Sequence, residues 1–196
     1  MGGRVTETQL APGLLLAMPQ LVDPNFTRSV VLMIEHDARG SFGLVINNPS
    51  PIKAAALLKS LEMPWRGDED EKVWAGGPVS PETGWVLHEP VAQVRATRGL
   101  GSSGAIAVTP LVTLSTSPDN LRAIAAAPPS RMRLLLGYSG WGPGQLASEM
   151  ARGSWLCADP DPELIFDTPA DEIWARALAT LGVTNPDTVV QGTGVN

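Results

Sequence analysis

"SVVLMIEHDARGSFGLVINNP", residues 29–49, decides the fold class of this chain. Two apolar, β-branched runs, Val30 to Ile34 and Phe42 to Ile46, flank the polar turn His36-Asp37-Ala38-Arg39-Gly40. Branched side chains are stiff at χ1 and suit a pleated surface, so two such runs around a glycine-ended turn predict a β-hairpin. Asn47-Asn48-Pro49 closes it, because the residue before proline is pushed out of helical space.

On the N-terminal side, Leu14 to Ala17 is a short apolar run stopped by Pro19, a first strand, and Asp23-Pro24-Asn25-Phe26 is a turn. Residues 1–10 read as a polar, flexible arm. Beyond the hairpin, "PIKAAALLKSLEM" (51–63) carries Leu57, Leu58 and Leu61 at helical spacing and ends at Pro64. "RGDEDEK" (66–72) is an exposed acidic loop. Brief strands are expected around Trp74 and at Trp85 to Leu87, with a turn carrying Gly76, Gly77, Pro78, Pro81 and Gly84 between them. Residues 91–104 read as a loose connection and "AIAVTP" (105–110) as a strand.

"SPDNLRAIAAA" (117–127) is a helix with Ser117 as N-cap and Pro118 at its first position. A strand from Met132 to Tyr138 leads to a helix from about Pro143 to near Gly153. "SWLCA" (154–158) is a strand and "DPELIF" (161–166) a helical turn. The last helix, "TPADEIWARALATLG" (168–182), has Thr168 as cap, Asp171 and Glu172 in its first turn and Gly182 as stop. Strands and helices alternate irregularly, with hairpins as well as crossovers. That predicts one α+β domain over 11–183, followed by a polar tail, 184–196.

Composition narrows the function classes. The chain has 196 residues, 43% hydrophobic and 17% charged, an ordinary globular balance. Its formal net charge is -6 and its arginines are scattered singly, which argues against binding nucleic acid or an anionic membrane surface. The single cysteine, Cys157, excludes an internal disulfide and lies between Leu156 and Ala158 as a buried, inert thiol. The first residues lack an apolar signal core and no apolar run is long enough to span a bilayer, so a cytoplasmic protein is expected.

The stretch richest in chemistry is "LLLGYSGWGPGQLASEM" (134–150). Strand, turn at Ser139 and helix is the layout of a nucleophile elbow, G-x-S-x-G. Here Gly137-Tyr138-Ser139-Gly140 begins the pattern, but Trp141 fills its last, small position, and both histidines precede the serine. Ser139 is therefore an imperfect nucleophile candidate. Alternatively Gly140, Gly142 and Gly144, followed by a helix, form a ligand cradle in which Trp141 is an apolar wall and Gln145 a hydrogen-bonding amide. In a purely architectural role the glycines permit a close turn, Tyr138 and Trp141 are core, and Gln145 ties down a loop.

His36 lies in "EHD" and His88 in "LHEP"; on a strand the flanking acids face away from each histidine, so no shared ion is expected. Asn47 supports the hairpin end or bonds a ligand. Gly76-Gly77-Pro78 has neither the spacing nor the lysine of a phosphate-binding loop, and no nucleotide fingerprint occurs elsewhere. No metal and no cofactor are expected.

Three stretches, "LLLAMPQLVDPNFTRSVVLMIEHDARGSFGLVINNP", "AGGPVSPETGWVLH" and "LGYSGWGPGQLASEMARGSWL", together resemble the YqgE/AlgH family of bacterial proteins, in order and from about residue 11 to 182. The resemblance implies one α+β domain with a coiled, bifurcated β-sheet wrapped by helices. One member of the family is named as a transcriptional regulator of alginate production, yet the family has no recognised DNA-binding motif and no established catalytic residues. The family usually continues "GQLE", whereas this chain has Ala147 there, which removes that carboxylate or moves its role to Glu149. Members also tolerate alanine in the place of Ser139.

The expectation is a non-enzymatic cytosolic protein that acts by binding a small ligand or a protein, with a regulatory role as one form of this. The ligand-contact candidates are His36, Asn47, His88, Tyr138, Trp141 and Gln145. The alternatives are a hydrolase using Ser139 with His88 or His36, and a transcriptional regulator.

Overall fold

A computed structural model describes residues 10–98 and 104–184. Most of the expected arm, all but one residue of the expected tail, and part of the 91–104 connection lie outside the described residues.

The strands in chain order are β1 (Gly13–Ala17), β2 (Val30–Asp37), β3 (Gly40–Val45), β4 (Pro49–Lys53), β5 (Lys72–Ala75), β6 (Val79–His88), β7 (Ala105–Thr109), β8 (Val112–Ser115), β9 (Met132–Trp141) and β10 (Trp155–Ala158). The α-helices are α1 (Ala54–Ser60), α2 (Pro118–Ala126), α3 (Gln145–Ala151) and α4 (Ala170–Thr180), with a π-helical turn over Glu163–Asp167. The hairpin is present as β2 and β3, with only Ala38 and Arg39 between the paired residues Asp37 and Gly40. The Asp37 carboxylate holds this turn, accepting from the Arg39 backbone N–H at 2.7 Å and pairing with its guanidinium at 2.6 Å.

The sheet divides at β9. Its residues Leu134 to Leu136 pair with the parallel strand β5 and, on the other side, with the antiparallel strand β6. Ser139 to Trp141 pair instead with β3. One arm therefore continues through β3, β2 and β1 to β10, another through β6 and β8 to β7, and a short branch carries β5 and β4. The result is an open, mainly antiparallel, bifurcated sheet.

Glycines make the division possible. Gly137 sits at φ +71°, a left-handed conformation that strains an L side chain, and a Cβ there would lie 2.5 Å from the Gly77 carbonyl oxygen. A Cβ on Gly76 would in turn meet the Gly137 oxygen at 2.5 Å. The backbones of "AGGP" and "LGY" touch where the arms part, so neither has room for a side chain.

Most central strands are apolar on both faces because both are covered. On one face Leu14, Leu16, Val30, Leu32, Leu44, Leu87, Leu114 and Leu135 form one cluster with Leu164 and Ile165 of the π-helical turn and Ile173, Trp174, Ala177 and Leu178 of α4. On the other, Val31, Met33 and Val45 meet Trp141, Leu146 and Trp155, while Val86 and Leu134 meet Ala54 and Leu58 of α1 and Ile124 of α2.

Several elements differ from the sequence expectation. Residues 49–53, part of which reads as the start of a helix, form edge strand β4, where Pro49 and Pro51 are tolerated; the helix starts at Ala54. The expected turn over residues 76–84 is mostly strand, since β6 begins at Val79 and takes up Pro81 in a register shift before Gly84. Strand β8, four residues long, has no counterpart in the expectation, and β9 continues three residues past Tyr138. The helix expected from Pro143 begins at Gln145. Thr168 does not cap α4: its hydroxyl donates to the Glu163 carbonyl at 3.0 Å, and Pro169 takes the cap position.

Candidate functional site

In the stretch 134–150, Ser139 is fully buried in β9, and its Oγ donates to the Gly76 carbonyl at 3.2 Å, tying the two glycine-rich segments together. The Tyr138 ring packs beside Phe42 and Trp85, with centroids 5.3 and 6.1 Å away. Trp141 is buried between Phe26 and Trp155.

Glu149 organises the segment from Trp141 to Trp155. Its Oε2 accepts from the indole N–H of Trp141 at 3.0 Å and from that of Trp155 at 2.8 Å, while Oε1 accepts from Gln145 Nε2 at 3.0 Å. Gln145 Oε1 accepts from the Gly142 backbone N–H, closing the turn into α3. One carboxylate on α3 thus clamps the end of β9 and the start of β10. The sequence signal pointing to Glu149 is Ala147 in the place of the usual family glutamate, which leaves Glu149 as one of two readings.

The other candidates have separate partners. His36 is exposed at the hairpin end, with Nδ1 at 2.7 Å from Ser41 Oγ. Asn47 bridges the opposite end of β3 to the preceding loop, its amide donating to the Arg28 carbonyl and its Oδ1 accepting from the Val30 N–H, both at 2.9 Å. His88 is fully buried. Of the six, only Trp141 and Gln145 share a hydrogen-bonding partner, the Glu149 carboxylate.

His88 reveals a residue the sequence reading missed. Its Nδ1 lies 2.7 Å from the Glu89 main-chain oxygen, which can only accept, so Nδ1 carries the proton. Burial pushes the His88 pKa down and keeps the ring neutral. Nε2 is then an acceptor, and Ser115 Oγ, 2.8 Å away, donates to it. Ser115 lies on β8, whose alternation Val112-Thr113-Leu114-Ser115 was the available signal.

Ser115 also lines a cavity of about 340 Å³ between the sheet and helices α1 and α2. Leu57, Leu61, Met63, Leu121, Leu134 and Leu136 form apolar walls; Ser115, Thr116 and Ser117 make a polar end, and Glu82 is also among the lining residues. A larger hollow of about 830 Å³ lies between the 24–29 loop and α4 and reaches Thr184, where the described residues end. The smaller cavity combines apolar walls with a few polar groups, the usual composition of a small-molecule site.

A buried arginine, Arg133, and a half-buried carboxylate, Glu71, also lie beside the sheet. Arg133 stacks over Trp74, its guanidinium carbon 3.8 Å from the ring centroid, and donates to the Ile46 carbonyl. Burial lowers its pKa to about 10, against the raising influence of Glu71 and Asp167. Desolvation raises the pKa of Glu71, with Arg133 opposing it. Among the described residues no group of three or more His, Cys, Asp and Glu is placed to hold a metal ion. No helix among them is long and apolar enough to cross a membrane.

This geometry defines a class: an open, branched α+β sheet with helices on both faces and a small apolar cavity under two of them. The chain belongs to the AlgH-like family, whose model matches residues 14–186. A UPF0301 protein of Myxococcus xanthus is 43% identical over 188 residues, covering 95% of this chain and 98% of its own length. The solution structure of the AlgH protein from Pseudomonas aeruginosa is similar with a TM-score of 0.74 at 34% identity, covering 100% of both chains. A crystal structure of a Corynebacterium diphtheriae protein, 21% identical over 88% of this chain and 87% of its own, shares the fold with a TM-score of 0.68.

Proposed function

We propose that this protein is a non-enzymatic binding protein whose ligand is a small, largely apolar molecule held between the sheet and helices α1 and α2. The observation that carries the reading is the cavity of about 340 Å³ with leucine and methionine walls and hydroxyls at one end. Its volume falls within the range of roughly 300–1,000 Å³ common for small-molecule sites. Leu61 is 47% exposed at the edge, an apolar side chain that a bound molecule would cover. A regulatory role follows if occupancy alters the surface of α1 or α2.

The test is a thermal-shift and calorimetric screen of the full chain against short amphiphiles and aromatic metabolites. Leu121→Trp, which adds bulk to the wall formed by α2, serves as the blocked variant. Ligands should raise the melting temperature of the native protein and leave the folded variant unaffected. Failure of every amphiphile to bind, or equal binding by the blocked variant, removes this reading.

A further inference from the structure

The engaged protons at the polar end of the cavity specify the head group it accepts. Resting on the ligand-binding reading above, we propose that the cavity takes an apolar molecule bearing a hydroxyl group and discriminates against its carboxylate and ether counterparts.

The Glu89 carbonyl sets the direction of the hydrogen bonds. Because that oxygen can only accept, it fixes the proton on His88 Nδ1 and leaves Nε2 as an acceptor. The one proton of Ser115 is therefore donated to His88, at 2.8 Å, and its remaining lone pairs can only accept. Thr116 is in the same position, since its Oγ1 donates to the Gly104 carbonyl at 3.1 Å. Glu82 is also among the lining residues, and no lysine or arginine is found among the described residues that line the cavity.

Ser117 completes the pattern. Its Oγ accepts from the Asn120 backbone N–H at 3.2 Å, and its own proton remains to be donated. A ligand hydroxyl can donate to Ser115 and accept from Ser117. An ether supplies only the second bond, leaving the Ser115 lone pairs without a donor. A carboxylate can also accept from Ser117, but it sets its charge against the Ser115 lone pairs with no lysine or arginine among the described lining residues, a costly arrangement in an apolar pocket.

The experiment compares three probes sharing an eight-carbon chain: n-octanol, methyl octyl ether and octanoate. Each is titrated calorimetrically into the full-length protein, into Ser115→Ala and into Leu121→Trp. The native protein should bind octanol about tenfold more tightly than either other probe, the order expected for one well-placed hydrogen bond. Ser115→Ala should reduce the octanol preference over the ether while leaving ether affinity unchanged. Equal or tighter binding of octanoate or ether by the native protein overturns the head-group assignment while leaving the cavity as a ligand site. Octanol binding that survives Leu121→Trp, or no binding of any probe, overturns both. The native-protein comparison stands even if Ser115→Ala fails to fold.

Discussion

The Glu149 clamp yields a quantitative prediction. Both indoles it receives are buried, Trp141 at 5% and Trp155 at 2% exposure, and both donate to the same oxygen, Oε2. Glu149→Ala leaves two N–H groups without that acceptor. Hydrogen bonds to a charged group contribute about 1.5–3 kcal/mol each, so half-buried Glu149 should contribute about 3 kcal/mol in total. For a protein of this size that corresponds to a fall in Tm of roughly 6–12 °C. Glu149→Gln separates charge from hydrogen bonding. Its single carbonyl oxygen can take the place of Oε2 and still accept from both indoles, while its new amide meets Gln145 Nε2, donor against donor. The glutamine variant should therefore lose only about 1 kcal/mol. Urea unfolding followed by tryptophan fluorescence, with near-ultraviolet circular dichroism of the native state, measures both variants. An alanine variant within about 0.5 kcal/mol of the parent, the ordinary range of a neutral surface change, would refute the reasoning. So would a glutamine variant as unstable as the alanine one.

Gly137→Ala and Gly144→Ala form a matched pair, with φ at +71° and +72°. The second meets nothing within 4 Å and should cost about 1–2 kcal/mol, whereas the first also clashes with the Gly77 carbonyl and should cost at least twice as much by denaturant titration. Ser139→Ala should lose only about 1 kcal/mol, because the Gly76 carbonyl still accepts from the Val45 N–H at 2.8 Å. A larger loss in calorimetry would give the hydroxyl a role beyond that tie. His88 gives a pH dependence. Its folded pKa is depressed, so below the unfolded value of about 6.5 the unfolded chain binds the proton first. The stability associated with neutral His88 is present above that pH and declines as pH falls toward the folded pKa. Denaturation at a series of pH values should show that slope in the parent and its absence in His88→Gln.

The sequence carried those elements whose causes are local. The hairpin, the Ser117 cap of α2 and the Gly182 stop of α4 depend on neighbours within a few residues. Strands β4 and β8 and the last three residues of β9 depend on partners further along the chain. Proline at 49 and 51 argues against a central strand, and only the pairing of Pro49 with Trp74 and Lys53 with Lys72 shows an edge where it is tolerated. The site follows the same rule. The glycines of "AGGP" and "LGYSG" were visible as special, but not that they face each other. Ser115 could not be joined to His88 without β8, whereas the departure from the family pattern at Ala147 drew attention to Glu149 as one of two alternatives, the other being loss of that carboxylate's role.

The branching at β9 also orders events during synthesis. Strands β3, β5 and β6 all leave the ribosome well before the strand that joins them, and none has that neighbour until residues 132–141 have emerged. Until then the nascent chain carries unpaired strand edges, the kind of surface on which chains associate wrongly. A ribosome stalled before residue 132 would present three unjoined sheet fragments, β1-β2-β3, β4-β5 and β6-β8-β7, and release of the next ten residues would turn them into one.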